Sequence, residues 1–131
     1  MFLKIDHLNM SVTDLSASID WYHQVFGFEK VEEGVRNGLP WAIVSLKDFS
    51  LCLYQQPEKL APGSSTNHQI DHWGFRISDK EAWVQTVKVL GLKLQYGGEV
   101  GYPNSTSWYV IDPSGYEIEV SYVVDNLPLF A

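Results

Sequence analysis

The triplet Ile5-Asp6-His7 near the amino end returns as Ile70-Asp71-His72 in the second half of the chain. In residues 3–12 and 70–77 apolar and polar side chains alternate with a period of two, which predicts a β-strand in each place. The two histidines stand 65 positions apart and fall on the face opposite the apolar residues. The repeat therefore predicts a duplicated fold with a histidine at the same place in each half.

The signals that follow each strand also repeat. N-cap residues begin both predicted helices and a glycine ends each, at Thr13-Asp14, Ser78-Asp79, Gly27 and Gly91. Residues 41–44 (WAIV) then align with residues 108–111 (WYVI), and residues 49–53 align with residues 116–120. Each half is therefore predicted to contain a strand, a helix and three more strands. The second helix is predicted to face inward with its apolar residues Ala82, Trp83, Val87 and Leu90.

This duplication predicts an α+β fold of two tandem βαβββ modules that form a cup-shaped, half-open barrel. In each module the helix is predicted to cover the apolar face of the sheet. The opposite face, which carries the histidine, stays open and lines the cup. Ligands commonly bind in such concave places. The predicted boundaries are 1–57 for the first module, 58–67 for a linker rich in Pro, Gly, Ser and Thr, 68–124 for the second module and 125–131 for a C-terminal tail, all within one domain.

The composition excludes several classes of function. The chain has 131 residues, 45% of them hydrophobic, which is enough for one domain with a core. A formal charge of −7 argues against nucleic-acid binding, which needs clustered Lys and Arg. No apolar run reaches the ~18–20 residues of a membrane span, and the first residues lack a signal-peptide pattern. The single cysteine, Cys52, fits a reducing compartment, so we expect a cytoplasmic protein without membrane association.

The open faces of the two sheets predict a metal site. The last strand places Glu117 and Glu119 on one face, and a carboxylate buried in a cup needs a cationic partner because an unpaired buried charge is costly. Two imidazoles and one carboxylate around a divalent cation meet this need and leave positions open for water, substrate or oxygen. The alternative is that His7 and His72 are half-buried side chains bonded to backbone. Their matched positions favour the metal site.

These residues carry a family resemblance. The chain resembles the vicinal oxygen chelate superfamily, which includes glyoxalase I, extradiol dioxygenases, fosfomycin-resistance thiol transferases and bleomycin-resistance proteins. The resemblance covers nearly the whole chain and rests on the two Ile-Asp-His triplets, on residues 20–28 (DWYHQVFGF) and most specifically on residues 112–119 (DPSGYEIE). It implies paired βαβββ modules and a divalent metal ion (Fe, Mn, Zn or Ni). It also implies three metal ligands, His7, His72 and Glu119.

At Cys52 the chain differs from one branch of this superfamily. Glyoxalase I enzymes usually take a fourth ligand, often a glutamate, from the last strand of the first module, and the internal alignment puts Cys52 there. The thiol is either a small buried side chain or a fourth ligand that favours zinc over iron. Three ligands without a fourth carboxylate resemble the dioxygenases and the fosfomycin enzymes more closely.

The other polar and aromatic residues favour different reactions. Tyr109 stands ten residues before Glu119, where extradiol enzymes place a tyrosine near the substrate, so it is the predicted catalytic residue. The histidine that those enzymes place upstream is replaced at residues 100–102 by Val, Gly and Tyr. The chain has two arginines, Arg36 and Arg76, and only Arg76 is predicted to face the cup. A phosphonate needs several basic groups to hold it, so this count weakens the case for a phosphonate substrate. The predicted substrate contacts are Asn9, Arg76, Trp41 and Tyr54.

The sequence therefore predicts a metal-dependent enzyme that acts on a small molecule chelating the metal through adjacent oxygens. Extradiol-dioxygenase-like chemistry is slightly favoured over the alternatives, a glyoxalase-like lyase or isomerase and a thiol transferase. A rival of another class is a non-catalytic binding protein of the bleomycin-resistance type, against which the intact ligand set counts. The predicted partners are a small-molecule substrate and a second copy of the chain in a homodimer, with the site formed within one chain or across swapped modules.

Overall fold

The computed structural model describes residue 1, residues 4–56 and residues 72–124. The elements are β1 (His7–Val12), α1 (Leu15–Phe26), β2 (Glu29–Arg36), β3 (Leu39–Leu46) and β4 (Phe49–Gln55), then β5 (His72–Ile77), α2 (Lys80–Leu90), β6 (Val100–Gly101), β7 (Ser105–Ile111) and β8 (Glu117–Val123). The chain divides into two compact units, Met1–Ser64 and Ser65–Ala131. The α+β class and the two tandem βαβββ modules are therefore confirmed.

Both units contain a four-stranded mixed sheet with the same connectivity. The strand orders are β1-β4-β3-β2 and β5-β8-β7-β6. In each sheet the first strand runs parallel to the last, and the other neighbours are antiparallel. His7 pairs with Ser50 and His72 pairs with Glu117 in the parallel registers. Two residues farther along each last strand, Cys52 and Glu119 occupy equivalent positions, as the sequence alignment predicted.

Helix α1 begins and ends at the residues that the sequence indicated. Asp14 is the N-cap, and its side chain accepts a hydrogen bond of 2.9 Å from the backbone N–H of Ala17. Gly27 ends the helix at φ 85°, a left-handed conformation that glycine adopts without a steric cost. The helix packs on β3 and β4 through a buried stripe of side chains, which consists of Leu15, Ser18, Tyr22 and Val25.

Helix α2 has the same caps but a narrower buried face than predicted. Asp79 accepts a hydrogen bond of 2.9 Å from the N–H of Ala82, and Gly91 ends the helix at φ 62°. Only Trp83 is buried in this helix. Ala82, which the sequence pattern placed inward, is exposed because it lies about 100° around the helix from Trp83.

Each sheet buries the apolar face that its alternation predicted. In the first unit, β1, β3 and β4 contribute Met10, Val12, Ala42, Val44, Leu51 and Leu53, none more than 4% exposed. In the second unit, β7 and β8 contribute Trp108, Val110, Ile118 and Val120, none more than 2% exposed. The opposite faces carry His7 and Cys52 in one sheet and His72 and Glu119 in the other, so the candidate site residues lie away from both helices.

Several predicted features concern segments outside the described residues or the way the two modules join. The predicted linker 58–67, the tail 125–131 and residues 70–71 of the second triplet lie outside the described residues. The cup-shaped barrel and the single domain concern how the two modules join, and they stay predictions. No helix within residues 4–56 and 72–124 has the length and apolar character needed to cross a membrane.

Candidate functional site

A buried carboxylate lies on the open face of the second sheet. Glu119 in β8 is 3% exposed. Its Oε1 accepts hydrogen bonds from the hydroxyls of Ser107, at 2.6 Å, and Ser121, at 2.9 Å. Its Oε2 lies 3.0 Å from Nε2 of His72. One carboxylate oxygen is thus fixed by two hydroxyls while the other faces an imidazole.

The two serines that hold Glu119 are themselves buried and paired. Ser107 lies opposite Ser121 in the β7–β8 ladder, and their hydroxyl oxygens are 2.9 Å apart. Hydrogen bonds to a charged carboxylate are about twice as strong as those between neutral groups, so this arrangement restrains the side chain of Glu119. Ser107 is not among the residues that the sequence predicted for the site. The available signal was the presence of small polar residues at alternate positions of a strand that otherwise contributes to the core.

A glycine makes room for the carboxylate in the neighbouring strand. Gly74 in β5 pairs with Glu119, and a Cβ at Gly74 would lie 2.8 Å from the backbone oxygen of Glu119 and 3.2 Å from its Cβ. In the first unit the equivalent partners are Asn9 and Cys52. The larger residue of each pair therefore lies on β1 in the first unit and on β8 in the second.

His72 lies between two carboxylates. Its Nδ1 is 3.8 Å from Oε1 of Glu117, opposite the closer contact of Nε2 with Glu119. Tyr96 donates a hydrogen bond of 2.5 Å from its hydroxyl to Oε2 of Glu117. This hydrogen bond raises the pKa of Tyr96, so the phenol keeps its proton and anchors Glu117. Both carboxylates next to His72 are thus held by hydroxyl groups.

Tyr109, the predicted catalytic residue, lies beside this cluster. It pairs with Glu119 in the β7–β8 ladder, is 5% exposed, and its ring meets that of His72 edge-on with centroids 5.8 Å apart. Its hydroxyl oxygen lies 2.7 Å from that of Tyr102. Burial raises the pKa of Tyr109 well above its usual range, and the hydrogen bond with Tyr102 and the charge of Glu119 add to this effect. At neutral pH the phenol of Tyr109 therefore keeps its proton and does not act as a base.

Arg76 lines a pocket with the histidine–carboxylate pair. This pocket of the second unit has a volume of about 350 Å³, and its lining includes His72, Gly74, Arg76 and Glu119. Within the part of the chain that the structure describes, the guanidinium of Arg76 has no hydrogen bond or ion pair. Among the described residues, the pocket therefore combines an unpaired cation with an oriented imidazole and carboxylate.

His7 in the first unit has its own carboxylate partner. Its Nδ1 lies 2.7 Å from Oδ2 of Asp6. This hydrogen bond lowers the pKa of Asp6, so the carboxylate stays charged. A carboxylate on one ring nitrogen orients the imidazole and leaves Nε2 for a further ligand, as in many metal-binding histidines. Asp6 is not among the predicted site residues, although the repeated Asp-His dipeptide was a signal for this role.

Cys52 lies in the first sheet between Asn9 of β1 and Ile43 of β3 and is half-buried. Burial raises the pKa of the Cys52 thiol, and the negative charges of Asp6 and Glu32 raise it further. This environment favours the protonated thiol, whereas metal binding requires the thiolate.

The three remaining predicted contacts lie in the first unit. Asn9 and Tyr54 line a second pocket of about 320 Å³. Trp41 stacks on Tyr54 with ring centroids 6.2 Å apart. The ring of Trp41 also covers Gly34, where a Cβ would lie 2.7 Å from it. The indole of Trp41 is therefore engaged in packing within the sheet.

The structure thus groups some of the predicted site residues and not others. His72, Glu119, Tyr109 and Arg76 are neighbours in the second unit, while His7 lies in the first. Across residues 4–56 and 72–124, no group of three or more His, Cys, Asp or Glu side chains is placed to hold a metal ion, so the three-ligand set stays a prediction.

The His72–Glu119 pair by itself fits the chemistry of a divalent metal. Imidazole nitrogen and carboxylate oxygen are common ligands, and each binds at about 2.0–2.2 Å. Two such ligands at a right angle around a metal are about 3.0 Å apart, and Nε2 of His72 lies 3.0 Å from Oε2 of Glu119. The donor pair is therefore suited to two neighbouring coordination positions.

Comparison with known proteins adds the family. Residues 4–120 match the model of the Glyoxalase/Bleomycin resistance protein/Dioxygenase superfamily. Metallothiol transferase FosB of Lysinibacillus sphaericus (strain C3-41) is 31% identical over 118 residues, which are 88% of this chain and 79% of that protein. Glutathione transferase FosA of Serratia marcescens is 22% identical over 125 residues, 92% of this chain and 81% of that protein.

Solved structures share the fold. A glyoxalase family protein from Enterococcus faecalis has a TM-score of 0.78 at 18% identity, covering 92% of this chain and 98% of its own. A variant of the fosfomycin resistance protein FosX from Listeria monocytogenes, complexed with Mn(II) and 1S,2S-dihydroxypropylphosphonic acid, has a TM-score of 0.70 at 17% identity and covers 92% of each chain.

The resemblance and the fold that the sequence predicted are therefore confirmed. The sequence relatives are named as enzymes, which also confirms the prediction that the chain is an enzymatic member of this superfamily. They are named as transferases, so they do not support the slight preference for dioxygenase chemistry and agree better with the thiol-transferase alternative.

Proposed function

This chain belongs to the Glyoxalase/Bleomycin resistance protein/Dioxygenase superfamily, and on that premise we propose that it is a divalent-metal-dependent enzyme that transfers a thiol to a small oxygen-bearing molecule. The main support for metal binding is the buried carboxylate of Glu119. Two serine hydroxyls fix one of its oxygens, and its other oxygen lies 3.0 Å from Nε2 of His72. The transferase names of the relatives support the reaction type.

The proposed metal ligands are His7, His72 and Glu119. When bound, a divalent metal supplies Lewis acidity toward the substrate oxygens. Ser107 and Ser121 hold Oε1 of Glu119, so that Oε2 is directed at the ligand position beside His72. Mn(II) accompanies the FosX structure and is the metal to test first, with Fe, Zn and Ni as alternatives.

The proposed substrate contacts follow from charge and protonation. Arg76 lines the pocket beside His72 and supplies a positive charge for an anionic oxygen of the substrate. Tyr109 keeps its proton because its pKa is raised, so its hydroxyl donates a hydrogen bond to a substrate oxygen. Asn9, Trp41 and Tyr54 are proposed to contact the substrate from the first module. The proposed partner is a second copy of the chain in a homodimer, which light scattering measures.

Metal content tests the ligand set. The full chain is purified without chelators, exposed to Mn(II), desalted and measured by mass spectrometry of metals. Glu119→Gln should lower the affinity for Mn(II) by at least about 100-fold, because even partners in the outer shell of a metal cost 10–100-fold. His72→Ala should do the same. The matched control is Glu81→Gln on helix α2, which removes the same charge away from His72 and should keep the metal.

Either of two metal results would refute the ligand set. One is equal and negligible metal in the wild type and in Glu119→Gln. The other is an equal loss of metal in Glu81→Gln and Glu119→Gln.

The reaction type is tested on the metal-loaded chain. Loss of free thiol is followed with fosfomycin as acceptor and glutathione or cysteine as donor, in the presence of Mn(II). We expect thiol consumption that depends on the metal and is lost in Glu119→Gln. Oxygen uptake with catechol and Fe(II), without thiol consumption, would instead restore the dioxygenase alternative.

A further inference from the structure

The imidazole of His72 has a carboxylate on each side. Its Nε2 lies 3.0 Å from Oε2 of Glu119, and its Nδ1 lies 3.8 Å from Oε1 of Glu117. The side chain of Glu117 is only 20% exposed, so water and salt screen its charge less than that of a surface carboxylate. A half-turn of the imidazole about its Cβ–Cγ bond would replace both nitrogens by carbons and lose both contacts. The two carboxylates together therefore favour one orientation of the ring.

Tyr96 holds the carboxylate on the Nδ1 side. Its hydroxyl donates a hydrogen bond of 2.5 Å to Oε2 of Glu117, while Oε1 faces His72. Short hydrogen bonds to a charged oxygen are among the stronger ones in proteins. Glu119 is arranged in the same way, with serine hydroxyls on one oxygen and the imidazole next to the other. Each carboxylate beside His72 thus uses one oxygen for a hydroxyl donor and the other for the ring.

The backbone of Tyr96 adopts a conformation that is rare for an aromatic residue. Its φ is 55°, and Gly97 and Gly98 follow at 80° and 110°. A bulky residue in this left-handed region is strained and persists only where surrounding contacts hold it. Two backbone hydrogen bonds hold the loop, from Gln95 N–H to the carbonyl of Tyr109 at 2.9 Å and from Gly98 N–H to the carbonyl of Gln95 at 3.1 Å. The loop therefore tolerates strain at the residue whose hydroxyl reaches Glu117.

Burial does not explain why a strained tyrosine stands at this place. Tyr96 is 67% exposed, so its ring contributes little to the core. Its ring meets that of Tyr109 edge-on with centroids 5.0 Å apart, and Tyr109 meets His72 in the same way at 5.8 Å. Both the hydroxyl and the ring of Tyr96 are therefore connected to His72 through one intervening side chain.

The first module has the equivalent contact from a different position. Nδ1 of His7 lies 2.7 Å from Oδ2 of Asp6, its neighbour in the chain. The strand partner of His7 is Ser50, where His72 has Glu117. Both imidazoles thus have a carboxylate near Nδ1, although the two carboxylates come from positions that do not correspond. The recurrence indicates a role for this contact, because a carboxylate at one ring nitrogen orients the other nitrogen toward a ligand.

We propose that Glu117 and Tyr96 are positioning residues for His72, in which Tyr96 fixes Glu117 and Glu117 fixes the imidazole with Nε2 beside the carboxylate of Glu119. A neutral imidazole carries its proton on one nitrogen and a lone pair on the other. Glu117 favours the proton on Nδ1 and so leaves the lone pair of Nε2 for a metal. The proposal rests on the proposed function, since it assigns His72 to the metal, and neither positioning residue is itself a ligand.

The orientation of His72 is measured in the full chain without metal. Carbon-13 relaxation of the imidazole Cε1–H group gives the order parameter of the ring, which reports directly on how firmly the ring is held. Glu117→Gln and Tyr96→Phe should both lower this order parameter, and the phenylalanine keeps the aromatic ring. The matched controls are Glu81→Gln on α2 and Tyr122→Phe on the opposite face of β8, and both should leave it at the wild-type value.

The affinity for Mn(II), measured by titration calorimetry, is the second readout. Glu117→Gln should raise the dissociation constant about tenfold, the lower end of the effect of outer partners of a metal ligand. Tyr96→Phe should act in the same direction and less strongly. The double variant should bind no more weakly than Glu117→Gln alone, because Tyr96 acts through Glu117. Tyr96 is exposed, so Tyr96→Phe keeps the test valid even if Glu117→Gln does not fold.

Two results would contradict the positioning role. One is a wild-type order parameter of His72 in both Glu117→Gln and Tyr96→Phe. The other is additive weakening of Mn(II) binding by the two substitutions, which would show that Tyr96 does not act through Glu117. If the wild type binds no Mn(II), the proposed metal function fails, and the order parameters of the metal-free chain alone decide the positioning role.

Discussion

The two modules share a backbone design and differ on one face. Their strand orders and parallel registers are the same, and both helices begin at an aspartate and end at a left-handed glycine. On the open face, however, the first module pairs Asn9 with Cys52 where the second pairs Gly74 with Glu119. The helix-covered faces are alike because both must exclude water, whereas the open faces can diverge. The two modules thus share the positions of this pair and differ in the chemistry of both of its members.

The larger side chain of the pair lies on the first strand in one module, at Asn9, and on the last strand in the other, at Glu119. This difference explains how the second module accommodates a carboxylate. Glu119 reaches His72 because Gly74 has no side chain and because Ser107 and Ser121 are small hydroxyl donors. The first module has the shorter Cys52 in the equivalent position and a full side chain, Asn9, beside it. A carboxylate at one position therefore requires coordinated changes in neighbouring strands.

The largest effect is expected from replacing Leu51 and Ile118, the equivalent core residues on the helix-covered faces of the two sheets. Equal losses of stability would show that these two faces are alike. Leu51 and Ile118 occupy equivalent positions and are both 0% exposed. Leu51→Ala and Ile118→Ala should each lower the free energy of unfolding by about 2–5 kcal/mol through lost burial and a cavity. Denaturation in urea, followed by tryptophan fluorescence, measures both values.

The control for this pair is Val35→Ala on the exposed strand β2, where the side chain is 72% exposed. It should change the free energy of unfolding by no more than about 0.5 kcal/mol. If either core variant behaves like Val35→Ala, the two covered faces are not equivalent.

Adding a methyl group to Gly74 should give the next largest effect and test the open face. Gly74→Ala would place a Cβ 2.8 Å from the backbone oxygen of Glu119, so β5 and β8 must move apart. Overpacking of this kind costs about 1–3 kcal/mol of unfolding free energy. Gly101→Ala is the matched control, because a Cβ there meets no atom within 4 Å. Equal stability of the two variants would show that Gly74 is not required for the approach of the strands.

The smallest expected effect concerns the thiol that stands where the second module has its carboxylate. Because burial raises the pKa of Cys52, less thiolate is present at a given pH than in a free thiol. The rate of alkylation by iodoacetamide should therefore reach half its maximum above the ordinary value of about 8.5. The single cysteine makes mass spectrometry an unambiguous readout.

The charge of Asp6 contributes to this shift, which provides an internal control. Asp6→Asn should lower the midpoint pH and increase the alkylation rate at pH 8, while Glu81→Gln should leave both unchanged. A midpoint at or below that of free cysteine would show that the open face of the first module is more polar than its packing indicates.

Most of the local structure was accessible from the sequence. The alternation in residues 3–12 and 70–77, the aspartate caps and the terminal glycines depend on interactions within a few residues, so their pattern survives in the linear chain. The inward face of α2 was harder, because Trp83 alone is buried and Ala82 is exposed. A helix with several apolar residues offers more than one face, and only packing selects among them.

The sequence by itself determined the duplicated modules and the alignment of Cys52 with Glu119, because periodicity and repeats need no knowledge of distant neighbours. The three proposed metal ligands are what the family resemblance implies, and they stay a proposal. Only the tertiary structure decided that Ser107 and Ser121 hold Glu119, that Gly74 makes room for it, and that Arg76 lines a pocket with His72 and Glu119. These contacts join different strands, and strand register is set by the burial of the whole sheet face. The physical reason is that a side chain acquires its role from the groups packed against it, which chain order does not specify.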